Sequence, residues 1–261
     1  MRFIGIDLGW QSGPSGLCCL GSRYSDGEFE LHIEQIDRKA TLDGVLGWID
    51  AIAPLPTPAI IAVDAPTLIP NETGMRSPDR LAHKYFGKYH AGCYPANLGR
   101  PFAQRIIQFG QALERRGFCH APTVKPQKIG RYQVEVFPHP ATIQLFNLPQ
   151  ILKYKKGRLA DRRQALGELR NYLLTSLPRQ KPPLNAVSLP EVPAGGKALK
   201  ALEDKLDSIV CAYVAAHWWY WGEERNHVLG GQCEGYIVVP CPPNAPVQLG
   251  NSAENAGEEK A

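Results

Sequence analysis

The run Phe3-Ile4-Gly5-Ile6-Asp7-Leu8-Gly9-Trp10 constrains this chain more than any other stretch. Apolar residues stand on both alternations, the pattern of a strand covered on both faces, as strands are in α/β sheets. One carboxylate, Asp7, interrupts the run near its end, and Gly9 follows where the chain must turn tightly. A buried carboxylate is costly unless a metal, a hydrogen-bond donor or a cation stands beside it. Turn amides are the plainer partner for such an Asp. Further acids in comparable settings along the chain weaken that plainer reading.

The 261 residues allow one large domain or two small ones, and an apolar content of 44% argues against global disorder. A net charge of +4, with Lys and Arg clustered, hints at an anionic partner. Seven cysteines (18, 19, 93, 119, 211, 233 and 241) form no CxxC pair and no zinc spacing. Their odd number fits reduced thiols in a cytosol. The N-terminus lacks the basic segment, apolar core and cleavage site of a signal peptide. The longest apolar run, 209–221, contains His217 and is short for a membrane span. A soluble, cytoplasmic protein without membrane contact is the expectation.

Leu17-Cys18-Cys19-Leu20 and Phe29-Glu30-Leu31-His32-Ile33 predict the second and third strands of an antiparallel meander. Thr41 predicts the cap of a helix in which Leu42, Val45, Leu46, Ile49 and Ile52 repeat at helical spacing. Ala59-Ile60-Ile61-Ala62-Val63 predicts a buried fourth strand that ends in Asp64-Ala65-Pro66. Residues 66–130 break the rhythm and predict an insertion covering the site. One of its two helices starts at Ser77-Pro78, and the other spans 101–116 before Gly117. Residues 132–137 return to strand character, a short helix follows Pro138-His139-Pro140, and 153–158 is a basic loop. A helix over about 159–177, a Pro-rich surface linker over 178–193, a helix over about 197–222 and a strand at 236–239 complete a single domain, 1–241. Residues 242–261 predict a disordered tail.

Three acids end or interrupt predicted strands: Asp7, Asp64 and Glu135. Strand ends of different strands converge at one edge of a sheet, where such sheets bind ligands. The last helix adds Glu203, Asp204 and Asp207, which share a face beside the core stripe of Leu202, Leu206, Ile209 and Tyr213. For any single helical acid a solvated face is the simpler account, but strand-borne acids in apolar runs have no such account. Carboxylates gathered in one place repel unless cations compensate them. Oxygen-only ligation suits Mg²⁺ or Mn²⁺, and two such ions activate water and stabilise the leaving oxygen of a phosphodiester.

The motifs GIDLGW, AVDAP, VEVFPHPA, LKYKKGR and EDKLDSIVCAYVAA, with the stretch NETGMRSPDRLAHKYFGKYHAGCYPANLGRPFA, resemble a family described as predicted RNase H-like nucleases, over about residues 1–240. The resemblance implies an RNase H-like five-stranded mixed sheet flanked by helices, with a helical insertion after the fourth strand. It implies catalytic roles for Asp7, Asp64, Glu135 and Asp207, and ligation of Mg²⁺ or Mn²⁺, as a two-metal site, by Asp7, Asp64, Asp204 and Asp207. Glu135 matches more loosely, because it falls on a later strand than the usual second acid.

Substrate contacts are expected from Arg76, Arg80, His83 and Arg100 in the insertion, where planar donors suit phosphate, and from Lys153 in the basic loop. Interleaved aromatics (Tyr85, Phe86, Tyr89 and Tyr94) offer stacking or core packing. His139 either positions water or a leaving group or caps the following helix. The leading expectation is therefore a divalent-metal-dependent nuclease acting on DNA or RNA. Alternatives are a non-catalytic scaffold binding nucleic acid or protein, and an actin-like phosphotransferase. The latter needs a duplicated domain that this chain does not contain.

Overall fold

The computed structural model describes residues 1–249, except 12, 26, 186 and 187. Strands β1 (Arg2–Asp7), β2 (Ser15–Ser25) and β3 (Glu28–Lys39) form the expected antiparallel meander. Helix α1 (Leu42–Ile52) then returns the chain to β4 (Ala59–Val63), which pairs with β1 in parallel. The Thr41 hydroxyl accepts the Gly44 N–H at 3.1 Å and so caps α1 as its sequence predicts. Helices α2 (Ser77–Phe86) and α3 (Ala103–Glu114) lie in the inserted region, followed by β5 (Cys119–His120) and β6 (Arg131–Glu135). Helices α4 (Pro138–Phe146), α5 (Leu159–Thr175) and α6 (Gly196–Trp221) follow, and β7 (Asn226–Gly231) and β8 (Gly235–Pro240) close the fold as a hairpin.

The sheet is mixed and six-stranded, in the order β3-β2-β1-β4-β6-β5, with helices on both faces. Five strands are expected from the sequence; the sixth is β5, two residues parallel to β6 through Cys119↔Tyr132 and His120↔Gln133. A strand of that length carries no periodicity, and only its partner defines it. The first strand of the hairpin, β7, was hidden for a related reason: its Leu-Gly-Gly end reads as a turn. The first residues of the expected tail are ordered, because Gln144 Nε2 donates to Val247 O at 2.8 Å and Oε1 accepts the Val247 N–H at 3.0 Å. The rest of that expected tail, 250–261, lies outside the described residues. Among the described residues, no helix is long and apolar enough to cross a membrane.

Alternation in β1 sends its side chains into two cores. Phe3 joins Leu20, Ile60, Ala62 and the buried face of α6, while Ile4 and Ile6 join Ile61, Val63, α1 and α3. The double-sided apolar pattern of β1 is thereby satisfied on both faces. Helix α6 comes unusually close to the sheet. A Cβ added at Gly5 would stand 2.0 Å from Ser208 O, and one at Gly16 would stand 1.9 Å from Asp204 O. The helix backbone therefore rests directly on β1 and β2, and only glycine permits it.

This contact makes a paired prediction. Gly5→Ala drives a methyl into helix backbone and should cost about 3 kcal/mol or more, the upper end of overpacking penalties. Gly47→Ala, at an exposed helical position with open space around it, should gain about 0.5–1 kcal/mol. Chemical denaturation of both variants checks the signs; a near-neutral Gly5→Ala would contradict the close seating of α6.

Candidate functional site

Asp7 ends β1, and Asp64 follows β4, its parallel neighbour; the Asp64 N–H donates to Ile6 O at 2.9 Å and sets the two strand ends side by side. Asp207 comes down from α6, fully buried, one residue before the Ser208 carbonyl that lies against Gly5. The three acids thus arrive from three elements at the C-terminal edge of the central strands. Trp10 locks the turn after β1 to the turn after β4, because its indole N–H donates to Asp64 O at 2.9 Å.

The loop before α5 brings the counter-charge. Tyr154, itself buried, donates its hydroxyl to Asp207 Oδ1 at 2.7 Å, and Lys155 sets Nζ 2.8 Å from Oδ2. That approach is an ion pair out of line for a hydrogen bond, so Oδ2 has no donor aligned on it. Burial opposes the charge on Lys155, but Asp207, Asp7 and Asp64 outweigh it and hold the ammonium well above the ordinary lysine range. Burial likewise pushes Asp7 far up; Lys155 pulls it back, while Asp207, Asp64 and Asp204 push it further. Asp64 is pushed up to about 7, by burial first, with Lys155 opposing and Asp207 adding. Lys155, aided at Asp64 by Lys200, does not neutralise the three carboxylates, and the surplus appears as protons held at Asp7 and Asp64.

His139, the second residue of α4, lies beside this pair, its ring 5.8 Å from that of Tyr154. It caps nothing: Nδ1 is buried without a partner, and α4 has no side-chain cap. Burial, with the charge of Lys155, lowers its pKa to about 4, so the ring is neutral at pH 7.

The other expected residues have different fates. Asp204, buried, is held by Arg38 Nε at 2.7 Å and Lys200 Nζ at 2.8 Å. Glu135 ends β6, but Arg76 grips it with a two-pronged contact, 2.7 Å on each oxygen. Arg76 also donates to Asp79 and to Leu68 O, which engages every N–H of its guanidinium. Arg76 is thus a buried structural cation with no donor left for phosphate, contrary to the sequence expectation. Burial pushes Glu135 up to about 7, and Arg76 pulls the other way. Arg80 is exposed and donates to Met75 O, and exposed His83 contacts Cys93 O at 2.7 Å. Lys153 is exposed, two residues from the lysine that does reach the acids. Arg100 lies over the Tyr94 ring, 5.1 Å from its centroid.

A narrow cleft opens beside Asp64, lined by Trp10, Arg76, Tyr94, Glu135 and Phe137. Among the described residues, no three His, Cys, Asp or Glu side chains stand close enough, as placed, to share one metal ion. Sequence reasoning missed Lys155, Tyr154 and Asp79 as members of these networks. The only signal was in the basic loop, where an aromatic interrupts a charge run.

A family model described as a protein of unknown function (DUF429) matches residues 5–232, and the chain belongs to that family. No curated protein and no solved structure matches it.

The raised acids fix a pH dependence. Asp64 ionises near its ordinary 3.8 in the unfolded chain but near about 7 when folded. Between those values the folded state holds a proton that the unfolded state has released, so stability is lost as pH rises through the window, by up to ~1.4 kcal/mol per pH unit for each such proton. Asp7 acts in the same direction. Denaturation in metal-free buffer at about pH 5 and about pH 7.5 should show wild type losing more stability than Asp64→Asn. Equal losses would remove Asp64 from the cluster.

Proposed function

We propose that this DUF429 chain is a divalent-metal-dependent phosphodiesterase, a cytoplasmic nuclease acting on DNA or RNA from an RNase H-like fold. The observation that carries the reading is the meeting of half-buried Asp7 and Asp64 with buried Asp207 at one sheet edge, where Lys155 is the counter-charge paired with Asp207. Support for the fold comes from the strand order, in which an antiparallel meander is followed by parallel strands with the acids on the central ones. Seven free thiols accord with a reducing compartment.

The donor chemistry fits the ion. Carboxylate oxygens are the ligands Mg²⁺ and Mn²⁺ prefer, and Asp207 Oδ2 is a buried acceptor with no aligned donor. As placed the three are too far apart to share an ion, so Asp7, Asp64 and Asp207 would hold it only with their side chains rotated inward and Lys155 turned aside from Asp207. Once bound, the ion lowers the pKa of its water and offsets charge on the phosphate. The two-ion form asks for ligands already engaged, since Glu135 is gripped by Arg76 and Asp204 by Arg38 and Lys200. One ion with the Lys155 ammonium in place of the second is the form these residues favour. Lys155, displaced, would pair with a phosphate oxygen. His139, neutral and with an unpartnered Nδ1, would accept a proton in this reading.

A second reading has its own observation. The Arg76–Glu135 and Lys155–Asp207 pairs neutralise acids without any metal, as a non-catalytic nucleic-acid-binding scaffold would do. Incubation of labelled DNA and RNA with Mg²⁺ or Mn²⁺ separates the two. The nuclease reading predicts metal-dependent cleavage, lost in Asp64→Asn and Asp207→Asn by more than the ~10–100-fold that removal of an outer-shell partner costs. Binding without cleavage under any divalent ion would establish the scaffold instead.

A further inference from the structure

We infer that Tyr94 and Arg100 form a subsite for one unstacked nucleobase and its phosphate, which directs a single strand into the acid cleft. The inference rests on the nuclease reading and names its substrate form.

Of the four aromatics interleaved with charge in the insertion, Phe86 is buried, and Tyr85 and Tyr89 pack partly against the core. Tyr94 alone among them is left open, 60% exposed. Its position is nonetheless fixed. The ring meets Phe102 edge-on at 6.2 Å, Phe102 packs on Trp10 at 4.7 Å, and Trp10 is hydrogen-bonded to the Asp64 carbonyl. A chain of rings therefore ties an open aromatic face to the turn that carries a catalytic acid. Tyr94 and Asp64 line the same cleft.

Arg100 supplies the charge. Its guanidinium carbon lies 5.1 Å from the Tyr94 centroid. Among the described residues its side chain makes no hydrogen bond or ion pair, and its Nε is a buried donor without an acceptor. Three arginines around the acids are committed: Arg76 to Glu135 and Asp79, Arg38 to Asp204, Arg162 to Glu203. A planar cation without a carboxylate, beside an exposed ring, matches a base stacked on the ring with its phosphate on the guanidinium. The cleft between Tyr94 and Asp64 is narrow, so a base stacks on the open ring at its mouth rather than inside it. A base within a duplex is stacked on both faces and offers none to Tyr94, so the subsite selects single strands or strand ends.

Fluorescence anisotropy on the full chain carrying Asp64→Asn, to suppress turnover, tests this with labelled single-stranded DNA, single-stranded RNA, a duplex, and a single strand with abasic sites. Tyr94→Ala should weaken single-strand binding about 5- to 100-fold and leave duplex binding unchanged. Tyr94→Trp should restore it, Arg100→Ala should lower it and flatten its salt dependence, and the abasic strand should bind Tyr94→Ala and the parent equally. A Tyr94-dependent loss confined to the DNA or to the RNA strand would assign the sugar. If Tyr94→Ala binds single strands as tightly as its parent, the subsite is refuted while the nuclease reading stands. If the parent chain binds no nucleic acid, both fall.

Discussion

The seating of α6 on two glycines governs the site. Because Gly5 and Gly16 have no Cβ, the carbonyls of Ser208 and Asp204 lie against the strand backbones. A helix at ordinary side-chain distance would hold Asp207 away from the ends of β1 and β4. Instead Asp207 is delivered, fully buried, to the edge where Asp7 and Asp64 stand. That close approach creates the electrostatic problem the rest of the site answers. Three carboxylates from three elements repel one another across the sheet edge, and the ammonium of Lys155 and the hydroxyl of Tyr154 are the polar groups the fold sets on Asp207.

Two acid networks stand side by side and have been resolved in opposite ways. In one, Glu135 and Asp79 enclose Arg76, whose five donors are all used; the result is rigid and saturated. In the other, Lys155, with Lys200 acting on Asp64, faces three carboxylates, and burial drives Asp7 and Asp64 toward their protonated forms. The first has the character of a structural clamp, joining the insertion to the end of β6. The second has capacity for more positive charge, which is where the proposed ion belongs.

The elements and acids legible in the sequence are those whose signal is local. Both alternations of β1 are apolar, Thr41 caps α1, and an acid at the end of an apolar run announces itself in one stretch of chain. Asp7 and Asp64 are legible this way, whereas Asp207 is legible from helical spacing and the family resemblance; all three lie at the same sheet edge. What failed depends on partners far along the chain. Arg76 and Glu135 are 59 positions apart, and each alone reads as a ligand for something outside the protein. Only the folded pairing shows that they satisfy one another. Lys155 was lost among its neighbours for the same reason, since a charge run does not say which of its members turns inward. Strand β5 exists because β6 offers it an edge, not because Cys119-His120 favours extension.

Diffraction from crystals soaked in Mn²⁺, with anomalous scattering, tests the central claim most directly. The account predicts a peak between Asp7, Asp64 and Asp207, with Lys155 displaced from Asp207 and Glu135 still gripped by Arg76. A saturating soak that leaves no peak there, with Lys155 still against Asp207, would contradict it and identify the acids and their lysine as a self-contained ion-pair network.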